Sequence, residues 1–340
     1  MKQCEITLSI GIPTYNRGER VCKVINNILK YPYSDIEIVV CDNCSDDSTW
    51  ELINNISDVR LRVYKNDRNY GFTYNSMRTL FLTSGKYVML LNDRDNIILE
   101  KLYEFIQTIK EKEYDIICAK NAIERYDFKI LRNRARMIYQ TSHPGERIYS
   151  RLLLKRVFDR QKKKEVDCFD AIKVGYILID EIYNSKEWFC YSGGCIITKP
   201  EGEEYIALKK TREEQDSNPF WTTRGRSAQT LRILLNQEIA ESNREEWIKG
   251  IYKEGMRYCL RNYYSNIKSD YICRRYGFVP PQHIFWLYEA LLYRTLVCKG
   301  LKKDYYFSFR ISVYISIVTL CEYLVFLKVR IVDLKKRVLG

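Results

Sequence analysis

The chain has 340 residues, of which 46% are hydrophobic and 29% are charged, and its formal net charge is +13 at neutral pH. This composition is typical of a globular protein with a sizeable core and excludes a low-complexity or disordered chain. The positive charge favours an anionic partner, which could be a nucleic acid, a membrane surface or a phosphorylated substrate, and does not select among them.

The twelve cysteines and two histidines constrain the chemistry. The cysteines are scattered through predicted strands and helices, so we expect reduced cytosolic thiols that pack as small hydrophobic residues. Cys41 and Cys44 form one CxxC pair without a second, and only His143 and His283 could add imidazole ligands, which argues against a zinc site. The first residues lack the apolar segment of a secretory signal, so we expect a cytoplasmic location.

Predicted strands and helices alternate through the first third of the chain. Apolar or β-branched runs predict strands at residues 6–12, 36–41, 59–64 and 87–91, with amphipathic helices between them. Short right-handed crossovers turn such an order into a parallel sheet whose carboxyl ends share one edge. We therefore expect the polar residues after each strand to lie close together at that edge.

The fourth predicted strand ends in two carboxylates, Asp93 and Asp95. Because ligands bind at the carboxyl ends of strands in open α/β sheets, both are candidate oxygen ligands for Mg²⁺ or Mn²⁺. Alternatively, Asp95 or Asn96 caps the helix predicted for residues 97–110, and this stretch taken alone favours the cap.

Four polar motifs follow the predicted strands. They are Ser9-Ile10-Gly11-Ile12-Pro13-Thr14-Tyr15-Asn16, Asp42-Asn43-x-Ser45-x-Asp47, Asn69-x-Gly71-x-x-x-Asn75-x-x-Arg78 and Asp93-x-Asp95. In this order and at these spacings the chain resembles family 2 glycosyltransferases over roughly residues 5 to 120; each motif alone is weak, and the four together are specific. The resemblance implies the α/β GT-A fold, a Rossmann-like, mixed but mostly parallel sheet flanked by helices.

The resemblance also implies an activity. A family 2 member would be an inverting, metal-dependent glycosyltransferase of the hexosyltransferase type that uses Mn²⁺ or Mg²⁺, with Asp95 as the metal ligand. It would move a sugar from a nucleotide diphosphate to a saccharide or lipid-linked acceptor, as in cell-surface polysaccharide synthesis. One alternative is a non-catalytic sugar-nucleotide-binding homologue. A nucleic-acid-binding module is another, but the basic residues form no known reader motif with aromatics, so we expect no nucleic-acid partner.

The turn after the first strand and the end of the second would bind the base and ribose. Pro13, Thr14 and Asn16 are the candidates in the turn, with capping of the following helix as the alternative. Asp42 can accept a hydrogen bond from the imide N–H of uracil, which favours a UDP-sugar donor.

Asn69, Arg78 and Asp93 complete the predicted donor site. Arg78 would pair with the diphosphate or with Asp93, unless it belongs to a solvated helix face. Asp93 would contact the ribose or the metal, although Arg94, where family members often have small or acidic residues, leaves that role open. We expect Asp47, like Asp46, to cap the next helix.

The second half should supply the catalytic base and the acceptor side. Glu214 and Asp216 follow the Gly193-Gly194 pair at about the interval that the family shows between its acceptor strand and its catalytic acid. We predict Asp216, then Glu214, as the base, with an exposed charged helix start as the alternative. Gly193 and Gly194 would admit a sugar acceptor close to the backbone, with an ordinary bulge as the alternative.

The pattern becomes helical in the last third, which predicts domains at 1–225 and 226–340. The apolar run at 311–327 carries a polar stripe that includes Glu322, which argues against a membrane span. Basic residues are frequent at 328–337. We expect this helix to lie on an anionic membrane at its inner face or to pack on the first domain.

Overall fold

A computed structural model of the chain describes residues 6–119, 134, 143–163, 185, 187–198, 245, 248–250, 252–257, 291, 294 and 313–325. The chain divides into two compact units, one of residues 1–126 and 141–213 and one of residues 127–140 and 214–340. The predicted domain boundary at residue 225 lies outside the described residues and stays a prediction.

The first unit contains alternating strands and helices. The first seven elements are β1 (Leu8–Thr14), α1 (Gly18–Leu29), β2 (Ile36–Asp42), α2 (Thr49–Asn54), β3 (Leu61–Lys65), α3 (Gly71–Leu82) and β4 (Tyr87–Leu90). The next are β5 (Asn96–Ile97), α4 (Leu99–Ile109), β6 (Ile116–Cys118), a 3-10 turn (Pro144–Glu146), β7 (Arg147–Ser150), α5 (Arg151–Lys163), β8 (Trp188–Cys190) and β9 (Ile197–Thr198).

The strands form a seven-stranded sheet in the order β3-β2-β1-β4-β7-β6-β8, and a two-stranded sheet of β5 and β9. The first four strands of the large sheet are parallel. β7 runs antiparallel to β4 and β6, and β8 is parallel to β6. The predicted mixed, mostly parallel sheet flanked by helices is therefore confirmed.

The apolar runs of the sequence account for the core. Every residue of β1, β2, β4 and β6 is buried, as expected for strands covered on both faces. In α1 the buried side chains Val21, Val24, Ile25 and Ile28 recur at helical spacing on the face that the sequence predicts. This packing brings the ends of β1 to β4 to one edge of the sheet.

A buried carboxylate connects the strands near their amino ends. Glu37 accepts hydrogen bonds from Ser9 Oγ at 2.6 Å, from the backbone amides of Ser84 and Gly85, and from Arg62 Nη1 at 2.8 Å. Burial raises the pKa of Glu37, but these hydrogen bonds and the Arg62 charge outweigh it, so the pKa lies below its ordinary value. The network fixes β1, β2 and β3 to the turn before β4.

The described part of the second unit includes a helix at residues 313–325, whose buried residues are Ile315, Val318, Thr319 and Glu322. Thr319 Oγ1 lies 2.6 Å from the hydroxyl of Tyr252, and Glu322 accepts a 2.7 Å hydrogen bond from Arg257 Nε. The exposed face carries the apolar residues Val313, Ile317, Leu320, Leu324 and Val325, which are 40% to 57% exposed. Among the described residues, no helix combines the length and apolar character needed to cross a bilayer.

Candidate active site

The segment after β4 is held by α1 and contains the two candidate carboxylates. Arg20 Nη2 donates to the backbone carbonyl of Arg94 at 3.0 Å, and Asn27 Nδ2 donates to that of Ile97 at 2.9 Å. The helix α4 begins later, with Ile98 at its N-cap and no side-chain cap hydrogen bond. Asp95 therefore does not cap α4, and the alternative interpretation of this stretch is wrong.

Asp93 is buried and bound from the turn after β1. Its Oδ2 accepts a 3.0 Å hydrogen bond from Thr14 Oγ1, and Arg17 Nη1 lies 2.8 Å from Oδ1 and 3.1 Å from Oδ2. Asp93 thus pairs with Arg17, a residue that the sequence analysis did not single out. Thr14 does not cap α1, whose N-cap residue is Arg17 and makes no side-chain cap hydrogen bond.

Asp95 is 1% exposed and keeps one oxygen without a protein donor. Its Oδ2 accepts a 2.7 Å hydrogen bond from Asn92 Nδ2 and lies 3.0 Å from His143 Nε2, whereas Oδ1 is buried with no hydrogen-bond partner. A buried carboxylate oxygen without a donor is costly, and a divalent cation would satisfy it. Asp95 therefore fits the role of a metal ligand, although the described residues contain no group of three His, Cys, Asp or Glu side chains that could hold a metal ion.

Asp42 lies at the end of β2 and has no exposed surface. Its two oxygens each lie 3.2 Å from the backbone amide of Ser45, whose hydroxyl also donates to Asp42. The backbone amide of Asn16 donates to Ser45 Oγ at 2.9 Å, and Asn16 Oδ1 accepts from the Asp46 amide at 3.1 Å. Asp42 thus organises the turns after β1 and β2, and its contact with a base stays a prediction.

The same two turns contain backbone in the left-handed region. Asn16 has φ +52° and Cys44 has φ +61°. Asparagine tolerates this conformation, whereas cysteine carries the full steric cost of its Cβ. Asp47 Oδ1 accepts a 2.9 Å hydrogen bond from the Thr49 amide at the start of α2, although the N-cap residue of that helix is Ser48.

Asparagine side chains join the ends of β2 and β3 to α3. Asn66 Nδ2 donates to Asn43 Oδ1 at 2.7 Å and to Asn75 Oδ1 at 3.0 Å, while Asn66 Oδ1 accepts from Arg78 Nη1 at 2.6 Å. Asn43 Nδ2 in turn donates to Asn69 Oδ1 at 2.6 Å. The structure therefore brings the predicted donor residues Asn69 and Arg78 into one network, and it places Arg78 on Asn66 rather than on Asp93.

Gly193 and Gly194 form the turn between β8 and β9. Gly194 has φ +78°, and a Cβ on Gly193 would lie 2.4 Å from the ring of Tyr191, so both positions require glycine. β9 pairs with β5, directly after Asp95. The acceptor role of this turn stays a prediction, and the predicted bases Glu214 and Asp216 lie outside the described residues.

The mostly parallel α/β sheet has the architecture of the GT-A class, and a DxD pair follows its fourth strand. The family model described as "Glycosyl transferase family 2" matches residues 9–175. The match confirms, over this segment, the resemblance to family 2 glycosyltransferases found in the sequence.

Two curated bacterial relatives match about a third of this chain. The Escherichia coli UDP-Glc:alpha-D-GlcNAc-diphosphoundecaprenol beta-1,3-glucosyltransferase WfaP is 29% identical over 36% of this chain and 49% of its own length. The Campylobacter jejuni GalNAc(5)-diNAcBac-PP-undecaprenol beta-1,3-glucosyltransferase is 32% identical over 31% of this chain and 35% of its own length. The matched segment thus spans half or less of these relatives.

Solved structures share the fold across most of the chain. The structure of Staphylococcus aureus TarS 1–349 in complex with UDP-GlcNAc has a TM-score of 0.57 at 18% identity and covers 93% of this chain and 89% of its own. The mannosyltransferase PcManGT from Pyrobaculum calidifontis, in complex with GDP-Man and Mn²⁺, has a TM-score of 0.50 at 14% identity. The match covers 94% of this chain and 87% of PcManGT. At these identities the likeness establishes the fold alone.

Proposed function

We propose that this chain is an inverting, metal-dependent glycosyltransferase that moves a sugar from a nucleoside diphosphate donor to a saccharide or lipid-linked acceptor. The observation that carries the proposal is Asp95, a buried carboxylate at the carboxyl edge of the parallel strands, whose Oδ1 has no hydrogen-bond partner and whose Oδ2 lies beside Asn92 and His143. The ends of β1, β2 and β3 converge on the same edge, where open α/β sheets bind ligands.

The donor site would be formed by the residues that the networks hold at this edge. Thr14 and Asn16 fix the turn after β1, while Asn69 and Arg78 lie on the asparagine network after β3. Pro13 precedes this turn and fixes its backbone. These groups supply amide and guanidinium donors for a base, a ribose and a diphosphate.

Asp95 would hold Mn²⁺ or Mg²⁺ at the donor diphosphate. Cleavage of the anomeric C–O bond leaves negative charge on the departing diphosphate, and a bound divalent cation supplies Lewis-acid stabilisation of that charge. The protein's part is to orient Asp95 at this edge, where its backbone amide donates to the backbone carbonyl of Asn92 at 3.1 Å. Asp93 is neutralised by Arg17, so it would orient the ribose rather than carry the metal.

Uracil is the base that we propose for the donor nucleotide. Relatives whose names contain UDP-Glc and a fold neighbour bound to UDP-GlcNAc support it, while the neighbour bound to GDP-Man provides the contrast to test. The imide N–H of uracil is a hydrogen-bond donor, and guanine presents its own donors in a different geometry. A site that recognises uracil should therefore bind UDP more tightly than GDP.

A thermal-shift experiment tests donor and metal together. UDP with Mn²⁺ should raise the melting temperature by several degrees, and GDP with Mn²⁺ should not. The stabilisation grows with the ratio of the ligand concentration to Kd, and it reaches ~2.7 kcal/mol when the ligand concentration is 100 times Kd. Asp95→Asn should abolish the Mn²⁺-dependent part, whereas Asp46→Asn, an exposed carboxylate in the neighbouring turn, should not. Equal shifts for UDP and GDP would reject the uridine assignment, and a full shift in chelator would reject the metal.

Turnover tests the proposed base. Asp216→Asn should lower the rate of sugar transfer by about 10² to 10⁴-fold and leave donor binding intact, because a general base acts on the acceptor hydroxyl. Glu214→Gln serves as the neighbouring comparison. Unchanged turnover in both variants would reject the assignment, and donor binding without turnover in the wild type would favour the non-catalytic homologue.

We further propose that the helix at 313–325 contacts an anionic membrane surface. Its exposed face carries an apolar row at helical spacing, Thr319 and Glu322 are buried, and five basic residues follow at 328–337. An apolar face beside a basic segment favours an interfacial position on anionic lipid. Relatives named for undecaprenol-linked substrates make such a surface the place where an acceptor would be found.

Vesicle sedimentation tests the membrane contact. The protein should bind vesicles that contain phosphatidylglycerol, bind pure phosphatidylcholine less, and be released by salt. Leu320→Glu should lower binding several-fold. Val59→Glu places the same charge on an apolar residue that is fully exposed in the first unit, and it should bind as the wild type does. Equal binding of both variants would reject the proposed surface.

A further inference from the structure

Three polar side-chain atoms form a nearly equilateral triangle beside the carboxyl end of β4. Asn92 Nδ2 lies 2.7 Å from Asp95 Oδ2 and 3.0 Å from His143 Nε2, and Asp95 Oδ2 lies 3.0 Å from His143 Nε2. Asn92 and Asp95 follow β4, and His143 precedes the 3-10 turn that leads into β7, the strand paired with β4. Two neighbouring strands of the sheet therefore build the triangle.

Hydrogen bonds cannot satisfy all three sides of this triangle. If His143 Nε2 carries a proton and donates to Asp95, the Asn92 amide nitrogen faces a second donor. If Nε2 is bare and accepts from Asn92, its lone pair faces a carboxylate oxygen. The two hydrogens of an amide nitrogen also point about 120° apart, while the other two corners are about 60° apart, so Asn92 can aim at one of them only. One side always joins two like groups.

The same triangle fits three ligands on one cation. Ligands at right angles on an octahedral ion with bonds of about 2.1 Å lie about 3.0 Å apart, which matches the observed sides. Rotation of the Asn92 amide by 180° places its Oδ1 at the corner that Nδ2 occupies. A carboxylate oxygen, an amide oxygen and an imidazole nitrogen then all present lone pairs to one point.

We propose that Asn92, Asp95 and His143 form one face of an octahedral divalent-cation site and that His143 makes this site prefer Mn²⁺ to Mg²⁺. Mg²⁺ demands oxygen ligands and dehydrates reluctantly, whereas imidazole suits the first-row transition metals. The site is accessible, since the His143 side chain is 17% exposed while Asp95 is 1% exposed. This inference rests on the proposed function, in which Asp95 holds the cation.

Affinity measurements test the selectivity. Mn²⁺ binding is followed by the electron paramagnetic resonance of the free ion, with and without UDP, and Mg²⁺ binding by competition. His143→Gln should weaken Mn²⁺ binding by about 10 to 100-fold and change Mg²⁺ binding by less than about threefold. His283→Gln, which removes the chain's other histidine, should change neither. Equal weakening of both ions, or none, would overturn the proposal.

A spectroscopic readout on the unsubstituted protein tests direct coordination. The electron spin echo of bound Mn²⁺ should show modulation from a coordinated nitrogen, and the modulation should change when the histidines carry ¹⁵N. Its absence from wild-type protein that binds Mn²⁺ would overturn the role of His143. Suppose that the nitrogen modulation is absent. If Asp95→Asn still removes Mn²⁺ binding, the role of His143 is rejected and Asp95 remains the metal ligand. If Asp95→Asn leaves Mn²⁺ binding unchanged, Asp95 is rejected as the metal ligand too.

Discussion

Arg17 and Asp93 join the turn after β1 to the end of β4 through one guanidinium nitrogen, which lies 2.8 Å from one carboxylate oxygen and 3.1 Å from the other. The side chain of Asp93 is 5% exposed and that of Arg17 is 25% exposed. Because a buried carboxylate needs a compensating charge, this pair fixes the turn after β1 to the end of β4.

Arg17→Gln should lower the free energy of unfolding by about 1 to 3 kcal/mol, because it leaves Asp93 buried without its cation while Arg17 itself is partly solvated. Urea denaturation measures the change. Lys23→Gln removes a positive charge from an exposed position of α1 and should have a small effect.

A double-mutant cycle identifies the partner. Asp93→Asn should remove most of the cost of Arg17→Gln, which gives a coupling free energy of at least about 1 kcal/mol. Additive effects of the two substitutions would show that the contact contributes nothing to stability.

Asn66→Asp should destabilise the domain by about 2 kcal/mol, since it replaces an amide donor with an acceptor that faces the side-chain oxygens of Asn43 and Asn75. The contact with Arg78 offsets only part of this loss, because it reaches the other oxygen. Denaturant unfolding of Asn66→Asp is compared with that of Asn26→Asp, the same change at an exposed position of α1. Equal stabilities would mean that the asparagine network is not a stabilising unit.

The sheet and the convergence of its motifs could be predicted because both depend on local patterns. Apolar runs such as Tyr87–Leu90 define buried parallel strands, and parallel strands bring their carboxyl ends together whatever their order. Asp93 and Asp95 were therefore placed correctly at the edge. Their partners were not predictable in this way.

The direction of a side chain in a turn depends on the backbone angles of that turn. Hydrophobic periodicity in the sequence does not determine these angles. Asn16 has φ +52°, and the residue that reaches Asp93 is Arg17 rather than Arg78. His143 meets Asp95 from a segment with no regular pattern. The helix at 313–325 shows a further limit. Its polar stripe follows from the sequence, whereas Tyr252 and Arg257, the partners of Thr319 and Glu322, could not be predicted from it.

Glu37 should make the stability of the first unit depend on acidic pH. Its folded pKa is lowered below the ordinary 4.5 because the hydrogen bonds and the Arg62 charge outweigh burial. The stabilisation is therefore complete above the pKa of the unfolded state and is lost as the pH falls through the lower folded value. Glu37→Gln should flatten the decline of unfolding free energy below about pH 4.5.

The measurement is a series of urea denaturations from neutral to acidic pH. Glu111→Gln, at an exposed position, controls for the loss of one negative charge. A profile for Glu37→Gln that parallels the wild type at acidic pH would show that this carboxylate does not couple protonation to folding.

Cys44 adopts φ +61° in the turn that follows β2, with its Sγ 3.6 Å from the carbonyl of Asp67. The left-handed region costs an L-residue about 1 kcal/mol or more, and glycine avoids this steric cost. Glycine also makes the unfolded state more flexible, which offsets part of the gain in stability. Cys44→Gly should therefore raise the free energy of unfolding by about 0.5 to 1 kcal/mol relative to Cys44→Ala, which keeps the Cβ and loses the weak sulfur contact. Both variants lack the thiol, so denaturation in the presence of a reducing agent measures the relief of backbone strain less the larger unfolded-state entropy of glycine. Equal stability of the glycine and alanine variants would show that the turn relaxes without cost, and the left-handed geometry at Cys44 would then store no strain next to Asp42.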